Sequence, residues 1–214
     1  WMEDDFHHFG VTVKHRDGII TDVRMVAARH PWTACPGAAE PLRALIGQPL
    51  VEGASDIGRL IEMPLPCTQV FDLTGLVLAQ AAQGRERLRY HAIISDREMQ
   101  SDAGVSADRS RFGRGVATLL CNGQQVLQWA IDDSLITAPE EHAGHSLDQG
   151  FRAWTEAMPL LPAEHAFILR RAILVAGGRA IDHNDYPNAD AMGVPALCHT
   201  FPPGTPGTAR RGKD

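Results

Sequence analysis

Apolar and polar residues alternate near the start of the chain. Phe9, Val11 and Val13 share one side of an extended segment, and Thr12 and Lys14 share the other. In this register His7 and His15 fall on the apolar side and His8 on the polar side. Residues 9–15 and 19–26 flank Arg16-Asp17-Gly18. An Asp-Gly pair between two alternating runs predicts a hairpin, because both residues tolerate the positive φ of a tight turn. An irregular stretch over 31–37 leads to a predicted helix over 38–46, closed by Gly47. A second short helix is expected over 55–62, stopped by Pro64 and Pro66. The period then changes. Val70, Leu73, Val77 and Ala81 make a helical stripe over 68–83, with Thr68 as N-cap and Gly84 as the stop.

The second half returns to the β period. Leu88, Tyr90, Ala92 and Ile94 alternate with Arg89, His91 and Ile93. Residues 95–113 are polar and follow neither period, so they read as a long loop. Runs over 116–121 and 124–131 meet at Asn122-Gly123, a second hairpin signal, with Leu127, Trp129 and Ile131 on the core side. Ser146 and Gln149 have capping-box spacing for a helix over 147–158. Pro162 suits the first turn of another over 163–175, before Gly177-Gly178. Residues from Arg179 onward show no period.

The predicted order is ββ-ααα-βββ-αα. That order gives an α+β fold: an antiparallel sheet built from hairpins, helices packed on one side, and an aperiodic C-terminal tail. One domain is expected over 1–200 and a fraying coil over 201–214. No GxGxxG follows a strand, and no Walker A, GxSxG or HExxH sequence occurs. The usual signatures of nucleotide, serine-hydrolase and zincin chemistry are therefore missing, and no cofactor is expected.

Charge narrows the partners. The 214 residues carry 20 Lys+Arg against 26 Asp+Glu, a net −6, which disfavours nucleic acid and anionic membrane as partners. No apolar run reaches the length of a bilayer span, and Trp1–Asp5 is acidic rather than a basic leader start. Cys35, Cys67, Cys121 and Cys198 form no CxxC pair, which suits a reducing cytoplasm. The expected partner is a small molecule; a homodimer is compatible with the sequence.

Ten histidines are the unusual feature. His7 stands where the first strand leaves the sheet, a common rim for a pocket. Cys35 and Cys67 each precede a helix, whose N-terminus favours a thiolate, although a cysteine there also serves as a small core residue. Gln69 is placed to share the space of Cys67. Tyr90 lies on the apolar strand face, as an acid or a packing residue. Cys198-His199 follows the aperiodic stretch containing Asp182-His183-Asn184-Asp185, and irregular chain rich in such groups suggests a site. Arg170 on a helix is a candidate carboxylate anchor. Metal ligation by His7, His199 and a carboxylate is the alternative; no ligand spacing supports it.

Three runs carry a family resemblance: Phe6-His7-His8-Phe9, then Pro31-Trp32-Thr33-Ala34-Cys35-Pro36-Gly37-Ala38, then Leu42-Arg43-Ala44-Leu45-Ile46-Gly47. With Cys67-Thr68-Gln69, Asp72-Leu73 and the late Cys198-His199, their order resembles an uncharacterised bacterial family, domain of unknown function 2889. The family pattern reads Cys-Thr-His where this chain has Gln69. The resemblance implies a setting in bacterial catabolism of aromatic, lignin-type phenolic compounds. The expected function is a cofactor-independent lyase using His, Tyr and Asp as acids and bases. The candidate catalytic residues are His7, Tyr90 and His199. The candidate substrate contacts are Trp32, Cys35, Cys67, Gln69 and Arg170, with a metal-dependent enzyme or a non-catalytic binding module as alternatives.

Overall fold

The computed structural model describes residues 1–61, 67–100, 111–180, 182, 185–189, 191 and 209–211. The fold is α+β with antiparallel sheets. Where the sequence reading draws one domain over 1–200, the chain divides into two compact units. One is Trp1–Glu86 with Asp182–Asp214, and the other is Arg87–Ile181.

The first unit opens with a three-stranded sheet of β1 (Met2–Glu3), β2 (His8–Arg16) and β3 (Ile19–Arg29), in the order β1-β2-β3. The β2–β3 turn uses Asp17 at φ 52° and Gly18 at φ 79°, as the Asp-Gly pair predicts. The alternation holds at Phe9, which is fully buried, but fails at His15, which is exposed. The register shifts there, with Thr21 of β3 left unpaired, and His15 lies beside the exposed hairpin turn where no core covers the apolar side. The helix expected over 38–46 is two 3-10 turns, Cys35–Ala39 and Pro41–Leu45. Pro41 has no N–H to donate and its ring blocks a continuous helix. A third 3-10 turn covers Ala54–Arg59 in place of the helix over 55–62.

Helix α1 (Thr68–Ala82) matches its stripe, with Cys67 rather than Thr68 at the N-cap. It approaches the third 3-10 turn so closely that a Cβ on Gly75 would lie 2.2 Å from the Ala54 carbonyl oxygen. Glycine is required there for lack of space. The core of this unit gathers Phe9, Ile20, Leu42, Ile57, Val70 and Leu78, with Trp32, Cys35 and Cys67. Three tail residues are docked rather than frayed. Thr33 N–H donates to Arg210 O at 2.8 Å, Arg210 N–H to Thr33 Oγ1 at 3.0 Å, and Ala209 is buried. Residues 201–208 and 212–214 lie outside the described residues.

The second unit contains β4 (Tyr90–Ile94), β5 (Met99–Gln100), β6 (Arg111–Phe112), β7 (Gly115–Cys121), β8 (Gln124–Asp132) and β9 (Leu135–Ala138), followed by α2 (Phe151–Glu156) and α3 (Leu160–Ala176). The main sheet runs β4-β7-β8-β9, antiparallel throughout, and β5 pairs with β6. Asn122 at φ 50° and Gly123 at φ 85° turn the β7–β8 hairpin. Helix α3 packs against β4, β7 and β8. Leu119, Trp129, Ile131, Leu169 and Ile173 form the core between them, and Leu127 packs against it.

Two boundaries differ from expectation. The helix over 147–158 shrinks to α2, because Gly150 at φ 72° interrupts it, and Ser146 Oγ accepts the N–H groups of Asp148 and Gln149 in a turn before that point. The loop expected over 95–113 carries the β5–β6 pair, with 101–110 outside the described residues.

Candidate functional site

His7 sits in a local turn built by Asp4. Asp4 Oδ1 accepts the N–H groups of Phe6 at 2.8 Å and His7 at 2.7 Å, and Asp4 N–H donates to His7 O at 2.9 Å. This is an Asx-type turn, in which a carboxylate stands in for a backbone carbonyl. The turn brings the carboxylate onto the imidazole: His7 Nδ1 lies 2.9 Å from Oδ1 and 3.1 Å from Oδ2. His7 is 8 % exposed, and its ring lies 5.1 Å from that of Phe9. His7 is buried as expected, but the Asp4 turn places it rather than strand alternation, because β2 begins at His8 and its register shifts between His8 and Phe9.

The electrostatics follow from that contact. Burial pushes the Asp4 carboxyl up, but the His7 hydrogen bond, the His7 charge and the two backbone N–H groups outweigh it. The carboxyl is held below its ordinary value. A carboxylate facing Nδ1 fixes the proton on Nδ1 and leaves Nε2 as the basic nitrogen, the orienting relation found in catalytic triads.

The other first-unit candidates belong to the core that Phe9 enters. Trp32, Cys35 and Cys67 are all buried in it. Arg211 lies 5.9 Å over the Trp32 ring and donates to Pro31 O. Cys67 ends its extended segment at the start of α1, where its Sγ donates to Gln69 Oε1 at 3.2 Å and Thr68 Oγ1 donates to the same oxygen at 2.9 Å. The Gln69 amide oxygen thus collects the polar groups of the helix start. Asp72, one turn later, is buried in the same helix.

The remaining candidates are elsewhere. Tyr90 lies in the second unit, where its hydroxyl donates to the buried Glu164 Oε1 at 2.7 Å and its ring meets His165 edge-on at 5.7 Å. Arg170 ties α3 to the preceding segment, donating from Nε to Leu147 O and lying 5.0 Å over the Phe151 ring. Both side chains hold α3 in place. His199 lies outside the described residues. Among the described residues no three His, Cys, Asp or Glu side chains group as a metal site, and no helix is long and apolar enough to cross a membrane.

Asp4 is the site residue missed from sequence. Its signal was present: an acid three residues before a histidine at a strand entry, the spacing of an Asx turn. Glu164 was missed because a carboxylate on an amphipathic helix reads as solvated.

No family model, curated protein or solved structure matches the chain.

Proposed function

We propose that the chain is a small-molecule enzyme of bacterial aromatic catabolism, a cofactor-independent lyase acting on a phenolic compound. The observation that carries the reading is the Asp4–His7 pair, an oriented imidazole at the edge of an apolar core. The phenolic substrate class comes from the resemblance to the domain of unknown function 2889.

The chemistry needs only proton transfer. His7 Nε2 accepts the phenolic proton, and the ring's electrons move to the para carbon. A bond beside the ring breaks, and the leaving group departs with its electron pair, leaving a quinone methide. The imidazolium then returns the proton to the leaving group, so atoms and electrons balance without an oxidant. General acid–base catalysis of this kind contributes about 10²–10⁴-fold. In this reading Trp32, Cys35, Cys67 and Gln69 are the substrate contacts and His199 is the second acid–base group. A cytoplasmic location fits the scattered cysteines.

The test is incubation of the purified protein with a panel of para-hydroxyphenyl compounds, in chelator and with no added cofactor, followed by chromatography. Cleavage of at least one member is expected, with the O-methylated analogue inert. Equal turnover of the methylated analogue would contradict the mechanism, and binding without turnover across the panel would make the protein a ligand-binding module.

A further inference from the structure

The second unit holds a cleft of about 300 Å³, lined by Ser95, Asp96, Arg97, Phe112, Ala176, Gly177, Arg179 and Ala180. Its volume is that of a small-ligand site. Two arginines line it against one carboxylate. Asp96 is exposed and pairs with Arg179 at 3.1 Å, while Arg179 also donates to Ile94 O. Arg97 is the second cation of the wall, with Asp133 and Asp148 near enough to support its charge. Among the described residues it gives Nη1 to Asp133 O at 2.8 Å and lies 4.9 Å over the Phe112 ring, contacts that leave its other guanidinium donors for a ligand. Ser95 Oγ accepts the Val116 N–H at 2.9 Å, so its own hydrogen is a further donor. The rest of the wall is apolar. Gly177 abuts Phe112 so closely that a Cβ would sit 3.0 Å from Cζ of the ring. Donors beside an apolar wall select an anionic acceptor attached to an apolar body.

We propose that this cleft binds a small carboxylate with a body about the size of one ring, held by Arg97 and Ser95 and packed against Phe112. Arg97 is suited to the role, because burial already weakens its hold on its proton against the support of Asp133 and Asp148. An entering carboxylate offsets that burial. The site is independent of the Asp4–His7 chemistry.

The test uses the full chain with benzoate as probe and benzyl alcohol as the neutral control, read by ligand-observed saturation-transfer NMR and calorimetry. Saturable benzoate binding is expected, with benzyl alcohol at least tenfold weaker. Arg97→Gln is expected to weaken benzoate at least tenfold. Ala180→Trp, at an exposed position, is expected to fill the cleft and abolish binding; it decides the question where Arg97→Gln does not fold. His7→Ala is expected to bind benzoate as the parent does. No saturable binding, equal binding of benzyl alcohol, unchanged binding in either cleft variant or loss of binding in His7→Ala would each overturn the proposal. Displacement by an equal concentration of inorganic phosphate would overturn its apolar half.

Discussion

Asp4→Asn separates orientation from charge at the His7 site. Asp4 Oδ1 accepts three donors, from Phe6 N, His7 N and His7 Nδ1, all within 2.9 Å. An asparagine keeps that oxygen for the two backbone groups and loses the charge. Hydrogen bonds to charged groups exceed neutral ones by roughly 1 kcal/mol. The variant should therefore be about 1–2 kcal/mol less stable at pH 7, measured by urea denaturation. The sign with pH follows from the lowered Asp4 pKa. A carboxyl whose folded value lies below its unfolded value stabilises the fold above about pH 4 and loses that contribution as pH falls through the folded value. The gap between parent and variant should close in acid. The catalytic effect should be larger. The amide NH₂ then faces Nδ1, which drives the proton to Nε2 and removes the basic nitrogen; a loss of about 10²–10⁴ in turnover is expected. Full turnover in Asp4→Asn, or a stability gap that widens below pH 4, would refute the orienting role.

Gly75→Ala should destabilise by about 1–2 kcal/mol, since overpacking against Ala54 O outweighs the gain in helix propensity; a raised melting temperature would contradict the close approach. His142 Nδ1 accepts the indole N–H of the fully buried Trp129 at 2.9 Å, so His142→Ala should cost about 1–3 kcal/mol in urea. His145→Ala, removing a ring stacked 4.1 Å from Trp154, should cost less, about 0.5–1.5 kcal/mol; the reverse order would sink this assignment. Residues 87–181, which have their own core, should give a cooperative thermal transition when expressed alone, and a non-cooperative melt would show that the second unit depends on the first.

Residues that set backbone dihedrals or a single period were readable. Asp17-Gly18 and Asn122-Gly123 give their hairpins directly, and the Val70–Ala81 stripe gives α1. The misses come from local stops and from partners distant in the chain. Pro41 divides a segment whose apolar spacing looks helical, and Gly150 removes the first turn of another. The four residues of β9 are too few for alternation to register. At the site, the alternation at Phe9 and Val11 points to a buried His7, but what places that side chain is the Asp4 turn before β2, which no period reveals. Tyr90 was placed on the correct face, yet Glu164, 74 residues away in the chain, is what engages its hydroxyl.

The measurement closest to the central claim is turnover and melting temperature for His7→Ala beside His8→Ala, on a phenolic substrate that the parent cleaves. If the Asp4-oriented imidazole is the base, His7→Ala loses about 10²–10⁴ of the rate with its fold retained, and His8→Ala stays near the parent. If His7 is only a packed residue, His7→Ala turns over normally and loses roughly 1–3 kcal/mol of stability. That result would contradict the account.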